Sequence, residues 1–321
     1  MTVTLREVIK QETPGSILRE RKDDSTLIHK REFFIGDRPR VSTCSDVVWT
    51  RQNTLITCNL GGQAIHLFDY REGVEHLVHR QTIRSPYRLG GLALSPDGKW
   101  LAVTHSMPGF RVAIHAVGED GSIEPNARRE SAVLGKMFVH GVDFSPDGRF
   151  LFVTQFEVNS TIVTLDPLTL RIVRELPTPF VDPQPKFAKS ACFTHDRRFM
   201  FIAYSARAQS SSRTTEALIA VHNYSVQDGV ISAHQCLFDE GLGNVECLDM
   251  LPDGTILAVD QYESTVFTLS FDQAAMKLTR LNTVLSEKDG LRSPHGISVA
   301  DHGAIAVTDH IDDVVRIYVP A

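Results

Sequence analysis

Two histidines, a lysine and a glutamate recur at one place in a repeated phrase of this 321-residue chain. His140, Lys189, Glu246 and His295 each stand five residues ahead of the residue that opens a turn. Imidazole carries protons near neutral pH, so two histidines beside a carboxylate can divide the roles of base and acid. A lysine within reach can stabilise an oxyanion or enolate, or lower the pKa of a neighbouring acid. His140, His295, Glu246 and Lys189 are therefore the catalytic candidates. The chain has no Gly-x-Ser-x-Gly elbow and no phosphate loop, so covalent serine chemistry is not favoured. General acid/base chemistry on a small organic substrate, in a lyase or a lactone or ester hydrolase, suits these residue types.

A second set follows the same turn by nine or ten residues: Asn59, His105, Gln155, Tyr204, Asp260 and Asp309. The first five of these, with Arg88, are candidates for substrate binding. Asp260 and Asp309 read equally well as structural turn residues, and polar groups at such a mouth can simply hold water and satisfy the backbone. His66, His115 and His222 fall within strands and read as ordinary strand residues. Cys247 follows Glu246, and strand alternation would point it away from the others.

These residues need an element that brings together side chains about fifty positions apart. The phrase itself supplies it. Gly91-Leu-Ala-Leu-Ser-Pro-Asp-Gly-Lys-Trp-Leu-Ala-Val-Thr-His105 returns at Gly141–Gln155, at Ser190–Tyr204, and in shorter forms at Cys247–Asp260 and Gly296–Asp309. A degenerate copy spans Asp46–Asn59. The turn opens at Thr50, Ser95, Ser145, Thr194, Leu251 and Ala300, at intervals of 45, 50, 49, 57 and 49 residues. That period fits a four-stranded antiparallel unit. Pro96 and Pro146 suit the second position of a type I turn, and Gly98 and Gly148 tolerate the positive φ after it. The flanking runs of Val, Ile, Leu and Phe read as strands. The expected fold is all-β: a β-propeller of six four-stranded blades, with a degenerate seventh left open by residues 1–45. A β-sandwich would carry no self-similar phrase. The last unit ends after three strands, so a segment at 27–35 should supply the missing outer strand and close the ring. Residues 1–24 are set apart as an extension, with a short helix expected at 4–12, and 25–321 as one propeller domain.

The phrase Pro294-His-Gly-Ile-Ser-Val, with Ala304-Ile-Ala-Val-Thr-Asp309 and Val315-Arg-Ile-Tyr318, resembles the six-bladed propellers grouped as NHL-repeat, gluconolactonase-like (SMP-30) and streptogramin B lyase-like proteins. The Ser-Pro-Asp-Gly blades also resemble surface-layer propeller repeats. The likeness to streptogramin lyases implies catalytic and magnesium-binding roles for His295 and Asp309. The likeness to gluconolactonases implies a divalent ion held by inner-ring Glu, Asn and Asp. Only Glu246 fits that pattern, and Lys189 would oppose a cation. Taken together, the two likenesses imply Glu246 and Asp309 as ligands for one divalent ion, magnesium or calcium.

In such a meander the catalytic candidates meet at one mouth of the central channel. Two long connections, 177–186 and the Ser-rich 205–215, lie on that face, and the second reads as a lid or as a surface excursion. With 33 Lys+Arg against 39 Asp+Glu, there is no basic footprint for nucleic acid. No stretch is long and apolar enough for a membrane span, and no leader is visible. Five cysteines without a C-x-x-C pair read as reduced thiols of a cytoplasmic protein. The expected partner is a small-molecule substrate. A non-catalytic binding module or interaction scaffold is the alternative, and it would show an apolar rim instead of converging titratable groups.

Overall fold

The computed structural model describes residues 16–17, 27–34, 44–70, 77–107, 109–135, 138–182, 184–206 and 217–320. Among them six antiparallel sheets form a six-bladed β-propeller, and the only helix is a single turn at Glu287–Asp289. Blade one is Cys44–Trp49, Thr54–Asn59, Ala64–Asp69 and Val78–Arg84. Blade two is Arg88–Leu94, Trp100–Met107, Arg111–Val117 and Ile123–Glu130. Blade three is Val139–Phe144, Leu151–Gln155, Ile162–Leu165 and Ile172–Leu176. Blade four is Lys186–Phe193, Phe199–Ala206, Leu218–Ser225 and Val230–Phe238. Blade five is Val245–Met250, Ile256–Asp260, Thr265–Asp272 and Lys277–Leu285. Blade six has Pro294–Val299, Ile305–Asp309 and Val314–Pro320 from the C-terminal end, with Leu27–Phe34 as its outer strand. Leu27 pairs opposite Pro320 and Phe34 opposite Val314, so the N-terminal segment closes the ring as its sequence implies. Ser16–Ile17, inside the segment set apart as an extension, pairs with Phe33 and Glu32 as a fifth strand. The helix expected at 4–12 lies outside the described residues. No helix of the described residues is long and apolar enough to cross a membrane.

The repeated turn is built alike six times. Asn53, Gly98, Gly148, Arg197, Gly254 and Gly303 each donate their N–H to the carbonyl of the turn-opening residue three positions earlier. All six have φ between 58° and 88°. Glycine takes that left-handed region without strain, asparagine tolerates it, and Arg197 carries a cost of roughly 1–2 kcal/mol. Ser95, Ser145 and Thr194 donate to Asp97, Asp147 and Asp196 at 2.6 Å, which locks the turn.

Apolar residues fill the gaps between blades, one cluster per gap. Leu55 and Phe68 meet Ala306 and Val315 between blades one and six. Ile56 and Leu67 meet Leu92 and Val103 between blades one and two, and Ile114 meets Val142 and Val153 in the next gap. Phe152 meets Ile202, Phe201 meets Leu248, and Val259 meets Ile297 in the remaining three. Each fully buried aliphatic or aromatic side chain contributes roughly 1.5–3 kcal/mol, so the gaps hold the blades in register around the axis. That rigidity sets the positions of side chains on the six innermost strands.

Candidate active site

The first strands of all six blades line a central cavity of about 250 Å3. In every blade the ladder slips by one residue where that strand begins: between Leu89 and Leu92, Val139 and Val142, Ala188 and Ser190, Val245 and Cys247, Pro294 and Ile297, and Cys44 and Asp46. The residues on these bulges are Ser45, Gly90, His140, Lys189, Glu246 and His295. A bulged residue is left out of the ladder and its side chain is re-aimed. Strict alternation therefore fails here. Cys247, expected to point away, is among the residues lining the cavity, and its Sγ lies 3.9 Å from the Ile297 carbonyl.

Four of the six bulged side chains meet. Glu246 Oε1 accepts from Lys189 Nζ at 3.0 Å. Glu246 Oε2 lies 3.1 Å from His140 Nε2 and 3.4 Å from His295 Nε2. The opposite ring nitrogens are held by backbone: His140 Nδ1 donates to the Lys189 carbonyl at 3.0 Å, and His295 Nδ1 to the Ser45 carbonyl at 2.8 Å. Each carbonyl belongs to the next blade around the ring. It comes close because a glycine follows each histidine. A Cβ on Gly141 would sit 2.4 Å from the Lys189 oxygen, and one on Gly296 would sit 3.0 Å from the Ser45 oxygen. The same carbonyls accept from Thr154 Oγ1 at 2.8 Å and Thr308 Oγ1 at 3.0 Å, which also receive the glycine N–H groups. The His-Gly pair is thus a unit: the glycine admits the acceptor that orients the histidine.

Burial works against ionising Glu246, but the Lys189 ammonium beside it holds the carboxyl well below its usual range. Burial, with His310 alongside, keeps His295 neutral well below the usual imidazole range. Burial also pushes His310 down to about 4.

A chain of amides extends the cluster. Asn244 Nδ2 donates to Glu246 Oε1 and, at 3.1 Å, to Gln261 Oε1. That fixes the Gln261 amide, whose Nε2 then donates to His310 Nδ1 at 3.3 Å. His310 is left with its proton on Nε2, the opposite tautomer from its neighbours. That nitrogen is buried and has no partner among the described residues. The His310 ring stacks on His295 with centroids 3.9 Å apart. Phe156 stacks on His140 at 5.5 Å and lies 4.6 Å from the Lys189 ammonium.

The second set of candidates is not brought to the cavity; none of Asn59, His105, Gln155, Tyr204, Asp260, Asp309 or Arg88 lines it. Asp260 accepts four backbone N–H groups, from Gly243, Asn244, Tyr262 and Glu263. Asp309 accepts those of Arg292, Ser293, Ile311 and Asp312 and pairs with Arg316 at 3.0 Å. Asn59 accepts from the Gly62 N–H, and Gln155 donates to the Ser160 carbonyl. His105 packs on Tyr87 at 4.7 Å, Tyr204 on Phe180 at 5.0 Å, and Arg88 is exposed where blade two begins. This ring pins loops. The residues that the sequence reading passed over stand one position further on. Phe156, Gln261 and His310 directly follow Gln155, Asp260 and Asp309, and all three touch the cluster. The repeat period itself carries that signal. Of the proposed lid, 207–215 lies outside the described residues, and 177–186 joins blades three and four.

No family model matches the chain, and no curated protein matches it in sequence. Solved structures do share its fold. The periplasmic gluconolactonase PpgL of Pseudomonas aeruginosa is 18% identical, with a TM-score of 0.59 over 85% of this chain and 80% of that one. A protein of Bacteroides uniformis, provisionally assigned as a 6-phosphogluconolactonase, is 14% identical, with a TM-score of 0.57 over 74% and 71%. The Cps50 (Swd1) β-propeller domain of Myceliophthora thermophila is 11% identical, with a TM-score of 0.59 over 86% and 96%. At these identities the likeness establishes the propeller, which hosts lactonases and binding modules alike.

Proposed function

We propose that this chain is an enzyme that moves protons on a small organic substrate at the channel mouth, a hydrolase of lactones or esters before a lyase. One observation carries the reading: a single buried carboxylate, Glu246, is ringed by one ammonium and two imidazole nitrogens inside one cavity. In this reading the Nε2 lone pair of His140 or His295 takes a proton from water or substrate, and Glu246 stabilises the imidazolium that forms. Lys189 meets the negative charge that develops on the substrate oxygen. The lactonase folds among the neighbours and the Pro294-His295-Gly296 likeness to gluconolactonase-like and streptogramin B lyase-like propellers support the class of chemistry. The five free cysteines support a cytoplasmic setting. A binding module would need an apolar rim, whereas this mouth is lined by His140, Lys189, Glu246 and His295.

The test is to change His140 and His295 singly to Ala and assay turnover and ligand binding on a panel of lactones, esters and β-elimination substrates. Each change should lower turnover by about 10²–10⁴-fold while binding is largely kept. Unchanged turnover in both variants removes the assignment.

A further inference from the structure

We propose that the same mouth is a binding site for one divalent transition-metal ion of the zinc class, with His140 Nε2, His295 Nε2 and Glu246 Oε2 as its protein ligands. The argument starts from the protons. The Lys189 and Ser45 carbonyls can only accept, so the Nδ1 atoms facing them carry the hydrogen. A neutral ring then presents a bare lone pair at Nε2. Both lone pairs are aimed at Glu246 Oε2, which has only lone pairs of its own. Three donors converge with their ligand atoms within 4.8 Å of one another, and the positive charge now beside them is the Lys189 ammonium, 3.2 Å from Oε2, whose place an ion would take. Tetrahedral ligands about 2.0–2.1 Å from an ion lie roughly 3.3 Å apart. The two edges to Glu246 Oε2 are 3.1 and 3.4 Å, and the edge between the two imidazole nitrogens is within 4.8 Å, so the rings would close on an ion.

The outer contacts agree. Metal-binding histidines hold their second nitrogen on a carbonyl or carboxylate, and both rings do. Asn244 donates to Oε1, and Lys189 donates to both oxygens, at 3.0 Å to Oε1 and 3.2 Å to Oε2, so an ion would take Oε2 from the ammonium. The donor set also selects the metal. Two imidazoles and one carboxylate suit zinc, iron, copper or nickel; magnesium and calcium take oxygen ligands. The magnesium or calcium expected with Asp309 does not fit this group, because both oxygens of Asp309 are engaged by backbone N–H groups and Arg316. A bound ion would polarise a substrate carbonyl or acidify a bound water. Lys189 is its competitor: the ammonium neutralises Glu246 in the ion's absence and weakens binding in its presence.

The proposal keeps the site of the catalytic reading but changes the histidines' role. An Nε2 that holds an ion cannot also take a proton, so the base role of His140 and His295 then belongs to the metal-free protein. The ion is read by itself. Metal-stripped protein titrated with Co2+ should take up one equivalent, with the ligand-field absorption of a nitrogen-containing site, and Zn2+ should displace it. His140→Ala and His295→Ala should each weaken Co2+ binding by more than about 100-fold, beyond what an outer contact gives. Lys189→Met, close in volume and without the charge, should tighten it by about tenfold or more. If this variant does not fold, the wild type and the histidine variants decide. No retained Co2+ or Zn2+ in the wild type, or an affinity that both histidine changes leave unaltered, overturns the site. Turnover lost in those variants while the wild type itself binds no ion removes the ion and keeps the acid/base reading. An ion bound with no turnover on the panel keeps the ion and removes that reading.

Discussion

Glu246 and Asp249 lie three residues apart on one strand and line one channel, yet their carboxyl groups are shifted in opposite directions. Glu246 is surrounded by Lys189, His140 and His295, and its carboxyl stays ionised despite burial. Asp249 takes its hydrogen bonds from backbone, from Met250 N at 2.7 Å and from Val299 N of the next blade at 2.7 Å, and burial pushes it up to about 6. Asp46 does the same for Val47 N and Leu92 N and is pushed up to about 7; Asp143 is raised well above the usual range as well. Burial is common to both levels of the channel, so the partner decides. Cations at the mouth keep a charge ready for chemistry. Amides deeper in offset burial only in part, and the acid they hold ties blade to blade.

The largest effect should come from removing the charge at each level. In metal-free protein, Glu246→Gln leaves the Lys189 ammonium buried without a counter-charge and should cost about 3–5 kcal/mol. Asp249→Asn loses one of two N–H acceptors and should cost about 1–2 kcal/mol. Urea unfolding at pH 7 measures both, and equal costs would erase the distinction between the two levels.

The pH dependence separates the levels next. Asp46 has its folded value raised from 3.8 to about 7, so its contribution is complete below 3.8 and is lost as pH rises through about 7. Asp46→Asn should therefore cost about 2 kcal/mol more at pH 5 than at pH 8, within the limit of about 1.4 kcal/mol per pH unit for one group. Glu246 has the opposite sign. Its contribution is complete above 4.5 and is lost only as pH falls through its depressed folded value. The cost of Glu246→Gln should be the same at pH 5 and pH 8. Unfolding curves at both values check the pair, and a parallel pH trend in the two variants would show that the levels are not distinct.

The mouth was legible in the sequence because the repeat is strict where the turns are. Once Ser95, Ser145 and Thr194 are aligned, His140, Lys189, Glu246 and His295 fall on one ring. Two features were not legible. Counting in twos along a strand cannot see a bulge, so Cys247 was turned the wrong way and the shared channel face of Glu246 and Asp249 was hidden. The polar residues at 59, 155, 260 and 309 looked like ligands by type, but in this fold the end of the second strand must satisfy a loop backbone, and Asp260 and Asp309 are consumed by it. The next position, with Phe156, Gln261 and His310, was open to the same counting, since the period treats both positions alike.

A single added methyl tests how the mouth is built. Gly141 has no turn to make; it is needed because a Cβ there would press on the Lys189 carbonyl at 2.4 Å. Gly141→Ala should cost about 1–3 kcal/mol, the range for overpacking, because the atom that must move is a backbone carbonyl and not the end of a flexible side chain. Its effect on chemistry should exceed its effect on stability. The carbonyl it displaces is the acceptor that keeps the proton of His140 on Nδ1, and without it the ring is free to carry that proton on Nε2 and donate to Glu246. Nitrogen-15 spectra of the imidazoles should show His140 moving from the Nδ1–H form toward the Nε2–H form, with His295 unchanged because Gly296 still admits the Ser45 carbonyl. Turnover should fall with the tautomer. A variant that keeps the Nδ1–H signal of His140 would show that the next blade's carbonyl does not set it, and the reason given for the His-Gly pair would be lost.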